Sequence, residues 1–318
     1  MTLENPLVLS PCPSPELVKK EYEKGLKLII SLDPSCNEFR STASELGVAI
    51  IDFVLQSLST RPVEEINELA FIGRAILRAE GRVLVQGSQE SDDRSCFLAN
   101  ALAVAWGLDS TFTCPLSPVQ ELALSWYARL LQLLDTEKIH KLFELGKLYD
   151  FGSGLEHAST VAHISLDIAT ALTEGNGFTK RELATLYAAA FLHDIGRYFS
   201  ERGHEEVSAH IVGSHASKLE EDFDIPLLLF CIRHHRRHTE PRKDPEMEKL
   251  GEKSLRLAAI LRLADAFTNV YDKEEYWGAR GSGEGVMIVA RFVNKQRFES
   301  KAKLLEEIGI KVELSSPS

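Results

Sequence analysis

Apolar residues recur at helical spacing along most of this chain, and the period shortens mainly near its C-terminal end. The segment "SPELVKKEYEKGLKLIISL" opens with Ser14 as a cap and Pro15 at the first helical position. Glu16 falls one residue short of completing a capping box. A second helix is predicted from Thr42 to Ser59, with Leu46, Ile50, Phe53 and Val54 on one stripe and Leu58 at its edge. "RVLVQG" (82–87) reads as a short strand, and "SQESDDRS" (88–95) as a polar loop. "CFLANALAVAWGL" and "SPVQELALSWYARLLQLL" are predicted helices. Residues 1–15, rich in Pro and Ser, are expected to be poorly ordered.

From Ser117 to Lys273 the pattern is almost wholly helical. In "FTKRELATLYAAAFLHDIG", Thr179 and Glu182 form a capping box and Gly196 is expected to end the segment. After Gly278 the texture changes: "EGVMIVARFV" reads as a strand, "KQRFESKAKLLEEIGI" as a helix stopped at Gly309, and "KVELSS" as a strand. Three regions follow: an N-terminal domain over 1–120, mostly helical or α/β; a helical domain over 121–278; and a small β-α-β segment over 279–318. That segment should pack on the helices, since Val286, Ile288, Val289 and Phe292 need cover and about 40 residues cannot bury a core alone. The whole is expected to be mainly α.

Composition narrows the function. Net charge is -11, which argues against a nucleic-acid surface or an anionic membrane as the main partner. No run approaches 18 apolar residues, and "MTLENPLVLSPCPSPE" carries an acid where a signal peptide needs bases. Cys12, Cys36, Cys96, Cys114 and Cys231 are odd in number, widely spaced and without a CxxC pair. They are expected to be reduced thiols in a cytoplasmic protein. A homodimer is compatible with this composition.

The histidines carry the chemistry. Nine of the ten fall between His157 and His238. Imidazoles and carboxylates recur on the inward faces or at the ends of apolar segments, where burial is costly unless a metal satisfies them together. His157 shares a face with Val161, Ile164 and Ile168, whereas His163 lies off that stripe and is expected at the surface. His193 and Asp194 end the most apolar helix, and adjacent helical residues converge on one ion only where a helix is finishing. A carboxylate at a helix C-terminus is unfavourable without a cation. His204 opens "HEEVSAHIVGSH" as a candidate ligand, with His215 on its face as supporting residue and His210 pointing away. His234 and His235 close another apolar helix. Periodicity assigns them poorly, with His235 nearer the denser stripe, and His238 is expected to be solvated. Asp265 sits on an apolar face where a metal or Arg262 is its candidate partner. Arg197, Arg236 and Arg262 are candidate donors to a substrate phosphate.

The order His…His-Asp…His…His-His…Asp on successive helices resembles the HD superfamily of metal-dependent phosphohydrolases. The resemblance implies a helical bundle whose four-ligand core is matched by His157, His193, Asp194 and Asp265. His204 and His235, with His234, resemble the added ligands of members that hold two or three metals. A longer likeness covers roughly residues 120–318. "LATLYAAAFLHDIGRYFSERGHEEVSAHIVGSH", "CIRHHRR", "LRLAAILRLADAF" and "VMIVARFVNKQRFESKAKLLEEIGIKVEL" look like the C-terminal half of the exopolyphosphatase / guanosine pentaphosphate phosphatase family. There a helical HD-like domain precedes a small α/β domain. The actin-like, Gly-rich phosphate-binding domain of that family has no counterpart in residues 1–120.

What the resemblance implies is hydrolysis of a phosphomonoester or phosphodiester, in a nucleotide or small phosphorylated metabolite, through a metal-activated hydroxide. Asp194 would orient the water and Arg197 would hold a phosphate. Mixed imidazole and carboxylate ligation suits Mn, Fe, Zn or Co, as one ion or two, better than Mg or Ca. The alternative is a non-catalytic module that senses a nucleotide at the same site. A complete ligand set favours the enzyme.

Overall fold

The structure, a computed structural model, describes residues 5–53, 62–87, 93–108, 112–113, 115–172, 177–268, 270, 276–283, 285–291 and 293–316. The chain forms two compact units, Met1–His140 and Lys141–Ser318.

In the first unit the elements run β1 (Leu7–Ser10), α1 (Pro15–Glu23), β2 (Leu26–Ser31), α2 (Arg40–Glu45), β3 (Ala49–Asp52), α3 (Val63–Arg78), β4 (Arg82–Gln86), α4 (Asp93–Trp106) and α5 (Pro118–Leu133). The strands make a parallel sheet in the order β1-β4-β2-β3. The central strands are short apolar runs buried along nearly their whole length, as expected where helices cover both faces of a parallel sheet. The unit is therefore α/β. Val18, Leu26, Ile29, Phe39, Ala43 and Leu84 form one face of its core.

Three local expectations are corrected here. The helix predicted over Thr42–Ser59 is replaced by α2 and β3, because "AIID" pairs in register with β2, Ile29 opposite Ile50. A short apolar run satisfies either period, and the tertiary pairing decides; Val54, Leu58 and Ser59 lie outside the described residues. Residues 7–10 are not disordered but pair with β4. The loop expected over 88–95 falls partly outside the described residues, and Asp93 already opens α4.

The cysteines are a fourth correction. Cys12 and Cys36 form a disulfide across a Cα separation of 5.9 Å, Cys96 is also disulfide-bonded, and buried Cys231 is a free thiol. Cys12 follows β1 and Cys36 follows β2, so a parallel sheet brings both loops to the same end. Sequence spacing does not encode that proximity. Cys114 lies outside the described residues.

Helix α6 (Thr136–Lys147) crosses the division between units in sequence. The second unit continues with α7 (Leu155–Ala171), α8 (Lys180–Leu192), α9 (His204–Ser214), α10 (Ala216–Leu219), α11 (Ile225–Arg233), α12 (Glu246–Leu250) and α13 (Glu252–Ala264). The predicted capping box of α8 is present, Thr179 accepting from the Glu182 amide and Glu182 from the Thr179 amide. Helix α7 packs on α8 and α13, and α11 on α8, α9 and α13. The tail supplies β5 (Tyr276–Ser282), β6 (Gly285–Ala290), α14 (Lys295–Glu307) and β7 (Lys311–Ser315), a sheet in the order β5-β6-β7 with β6 and β7 parallel. Its Gly-rich first strand was not expected. The tail packs on the helices as anticipated: β5 and β6 contact α7, and α14 contacts α13. Val286 and Ile288 are fully buried while alternate Val289 is half-buried; Phe292 lies outside the described residues. Among the described residues no helix is long and apolar enough to cross a membrane.

Candidate metal centre

Helix ends build the site. His193 is the C-cap of α8, His235 follows the last turn of α11, and Asp265 is the C-cap of α13. Three helix C-termini therefore meet at one place, and their dipoles favour a cation there. His157, in the first turn of α7, and His204, the first residue of α9, enter from helix N-termini.

Four of these imidazoles are oriented the same way. The Nδ1 of His193 lies 2.6 Å from the Ala190 carbonyl, that of His204 3.0 Å from Glu201, that of His235 2.7 Å from Ile232, and that of His157 3.2 Å from Thr268. A carbonyl only accepts, so each Nδ1 is the donor and each Nε2 faces the cluster. His193 Nε2 is buried without a hydrogen-bond partner. His204 Nε2 and His235 Nε2 stand 3.3 Å apart, a separation at which two lone pairs repel unless a cation lies between them.

Asp194 and Asp265 collect these nitrogens. Asp194 Oδ1 is 3.0 Å from His204 Nε2, 3.5 Å from His193 Nε2 and 3.6 Å from His235 Nε2. Its Oδ2 faces the other way, accepting from Ser153 Oγ, and lies 3.0 Å from Arg197 Nε and 3.6 Å from His157 Nε2. Asp265 Oδ1 is 3.5 Å from His157 Nε2 and 3.9 Å from His193 Nε2, while its Oδ2 pairs with Lys301 of α14.

Protonation follows from this arrangement. Burial, reinforced by the neighbouring imidazoles, pushes His193 down to about 3 against the pull of Asp194 and Asp265, so its ring is neutral. Burial works to raise both carboxyls, but the cations and imidazoles around each prevail and hold them below the ordinary range. His204 is also lowered by burial, yet its bonds to Asp194 and the Glu201 carbonyl prevail and raise it. Neutral imidazoles beside ionised carboxylates are the donor set a divalent metal requires, and two triads, His157/His193/Asp265 and His193/Asp194/His235, have ligand atoms close enough to hold one.

Backbone close approach locks Asp194 in place. Gly152, at φ 70°, lies so close to the Asp194 carbonyl that a β-carbon there would sit 1.9 Å from its oxygen. Gly196 does not end α8 by a left-handed turn; α8 already stops at Leu192. A β-carbon on Gly196 would meet the His204 carbonyl oxygen at 2.4 Å, so its role is to let the turn (Ile195–Tyr198) pack against α9. Gly152→Ala is expected to destabilise the protein by about 2 kcal/mol or more, since it combines a disfavoured φ with a backbone clash. Thermal unfolding checks this, and an unchanged melting temperature would contradict the packing.

The structure brings His157, His193, Asp194, His204, His235 and Asp265 together, with Arg197 beside them. It does not bring in His234, whose Nε2 is 2.8 Å from Asp244 Oδ2. Successive residues at a helix end diverge, so only His235 turns inward. Arg262 is a correction too: it is buried and donates to the His234 carbonyl and to Thr239, which ties α13 to the end of α11 and leaves it unable to reach a substrate. It is not the partner of Asp265. Arg236 is half-buried and does not line the cavity above the cluster. His163, expected at the surface, is 1% exposed and packs edge-on against Tyr187 of α8, because α8 packs on α7 and covers that side of it. His215 bonds to the carbonyl of Ile211, exposed His210 points away, and His238 stays exposed while reaching Glu205.

Sequence reasoning missed the tail's contribution. Lys301 and Arg297 both bind Asp265, and Ser153 binds Asp194. Lys301 and Arg297 lie on one face of α14, four residues apart, but they looked like ordinary members of a charged helix.

Residues 154–270 match the HD domain family, and no curated protein matches the chain. All six clustered residues fall within the matched span. The match lies within the C-terminal unit, and HD domains are typical of metal-dependent hydrolases; Ser153, Arg297 and Lys301 lie outside the match.

Proposed function

We propose that the chain is a metal-dependent phosphohydrolase acting on a phosphate ester of a nucleotide or small metabolite. The observation that carries this reading is the common orientation of four imidazoles, each with Nδ1 committed to a carbonyl and Nε2 turned toward two ionised carboxylates. On this reading His157, His193, Asp194 and Asp265 hold one divalent ion, and Asp194, His204 and His235 support a second. Such ions supply Lewis acidity that lowers the pKa of water and neutralises phosphoryl oxygens.

The protein's own groups provide the rest. Asp194 Oδ2 faces the cavity that holds Arg197 and His157 and would accept a hydrogen bond from the attacking water, aiming its oxygen at phosphorus. Arg197 keeps one edge on Asp194 and Glu201 and offers a remaining Nη donor to a phosphoryl oxygen. As the new P–O bond forms, the bond to the leaving oxygen breaks and that oxygen takes up a proton. The cavity of about 330 Å³ suits a phosphoryl group with its ester substituent extending outward. The likeness of residues 120–318 to the exopolyphosphatase family supports a phosphate-bearing substrate.

Metal analysis of purified protein, with turnover of nucleotides, cyclic dinucleotides, pyrophosphate and polyphosphate after reconstitution with Mn or Fe, tests the proposal. The expected result is at least one tightly held transition metal and hydrolysis of one class in the panel. Metal without turnover would favour a sensing module, and absence of both would reject the site.

A further inference from the structure

We propose that Arg297, from the C-terminal helix α14 and outside the HD-matched span, is a substrate-binding residue that pairs with Arg197 to select a dianionic phosphomonoester. The proposal rests on the phosphohydrolase reading above and adds to it a residue and a substrate class.

Arg297 and Arg197 both line the cavity whose floor includes His157, Asp194 and Asp265. Each guanidinium is paired through a single nitrogen with one of the two central carboxylates. Arg197 holds Asp194 through Nε, and Arg297 holds the carbonyl and Oδ1 of Asp265 through one Nη. The remaining donors of Arg297, Nε and the other Nη, have no partner among the described residues, and its side chain is 38% exposed.

Asp265 does not require Arg297 as counter-ion. Lys301 pairs with its Oδ2 deep inside and His157 stands 3.5 Å from its Oδ1. A second cation on the solvent side of that carboxylate is therefore available to an anion entering the cavity. Two guanidiniums aimed at one small cavity from separate elements can grip different oxygens of a single phosphoryl group. A terminal phosphate has the oxygens and the double charge to use both. A diester has one fewer charged oxygen and a second substituent that would meet one of the arginines.

The test uses the full chain, wild type and Arg297→Met, brought to equal metal content with Mn. Inorganic phosphate binding is measured by calorimetry, and steady-state kinetics are measured on p-nitrophenyl phosphate and on bis(p-nitrophenyl) phosphate. The expected result is phosphate binding weakened about tenfold or more in Arg297→Met, a matching rise in KM for the monoester, and kcat changed by less than about threefold. Arg297→Lys should recover part of the affinity, because it keeps the charge and loses the fork. A purely structural anchor would instead alter melting temperature and metal content and leave phosphate affinity alone. Equal phosphate affinity in wild type and Arg297→Met at equal metal content would overturn the assignment. An equal KM rise for the diester would overturn the monoester selectivity. Phosphate binding that depends on Arg297 in a protein hydrolysing neither ester would uphold the anion site and sink the enzymatic reading alone.

Discussion

Asp194→Ala is expected to lower turnover by at least about a hundredfold and to release bound metal while leaving the helical fold in place. The magnitude follows from the position of its carboxylate. Oδ1 faces three imidazole nitrogens and Oδ2 faces a fourth, with Arg197 and Ser153 on the same side. Its loss removes the group shared by both halves of the cluster and unties the arginine. The helix just before it should survive, because α8 is specified by its capping box and is buried on every side from Ala184 to Leu192. Metal content, circular dichroism and turnover measured on the same preparation check the three parts separately. A variant that keeps both metal and activity would remove Asp194 from the centre of the mechanism. His210→Ala, at an exposed position, is the silent control. His163→Ala is not silent on this structure: a buried ring against Tyr187 is lost, and a stability loss of about 1–3 kcal/mol is expected.

What could be read from the chain, and what could not, divides along a physical line. The helices of the second unit were legible because their caps and periodicities are local: Thr179 with Glu182, and the stripe through His157, Val161, Ile164 and Ile168. Convergence of His193 with Asp194 was legible as well, since a helix that is ending lets neighbours share a target. Choosing between His234 and His235 was not, because α11 is apolar on all sides and the decision lies with Asp244, which captures His234 from a later loop. The misplacement of His163 has a similar origin: the stripe of α7 reports one buried face, and Tyr187 of α8 covers another. Strand β3 and the Cys12–Cys36 bond depend on which loops a parallel sheet brings to one end, and that lies in topology rather than in any window of sequence. Lys301 was invisible for the most general reason. A lysine every few residues on a short amphipathic helix is ordinary until its partner, 36 positions earlier, is known to be a buried carboxylate.

Lys301→Met should destabilise the metal-free protein by about 3 kcal/mol or more, and the loss should shrink when Mn is added. Lys301 is 8% exposed and its ammonium pairs with Asp265 Oδ2. Removing one partner of a buried pair leaves the other charge uncompensated, which costs far more than the pair itself contributes. Burial lowers the pKa of Lys301, with Asp265 opposing, as expected for an ammonium held in a dry place by a single carboxylate. The two oxygens of Asp265 have different tasks. Oδ2 belongs to Lys301, and Oδ1 is turned toward His157 and His193. Lys301 thus fixes the rotation of the carboxylate, as outer partners of metal ligands commonly do, and without it Asp265 is left with a full charge that only a metal can offset. Saturating Mn places positive charge against the same carboxylate, so the melting-temperature gap between wild type and Lys301→Met should be widest in chelator and narrow by at least about half in excess metal. A gap of equal size in both conditions would mean that Lys301 acts only as an anchor for α14, and that Asp265 does not share its charge with a metal.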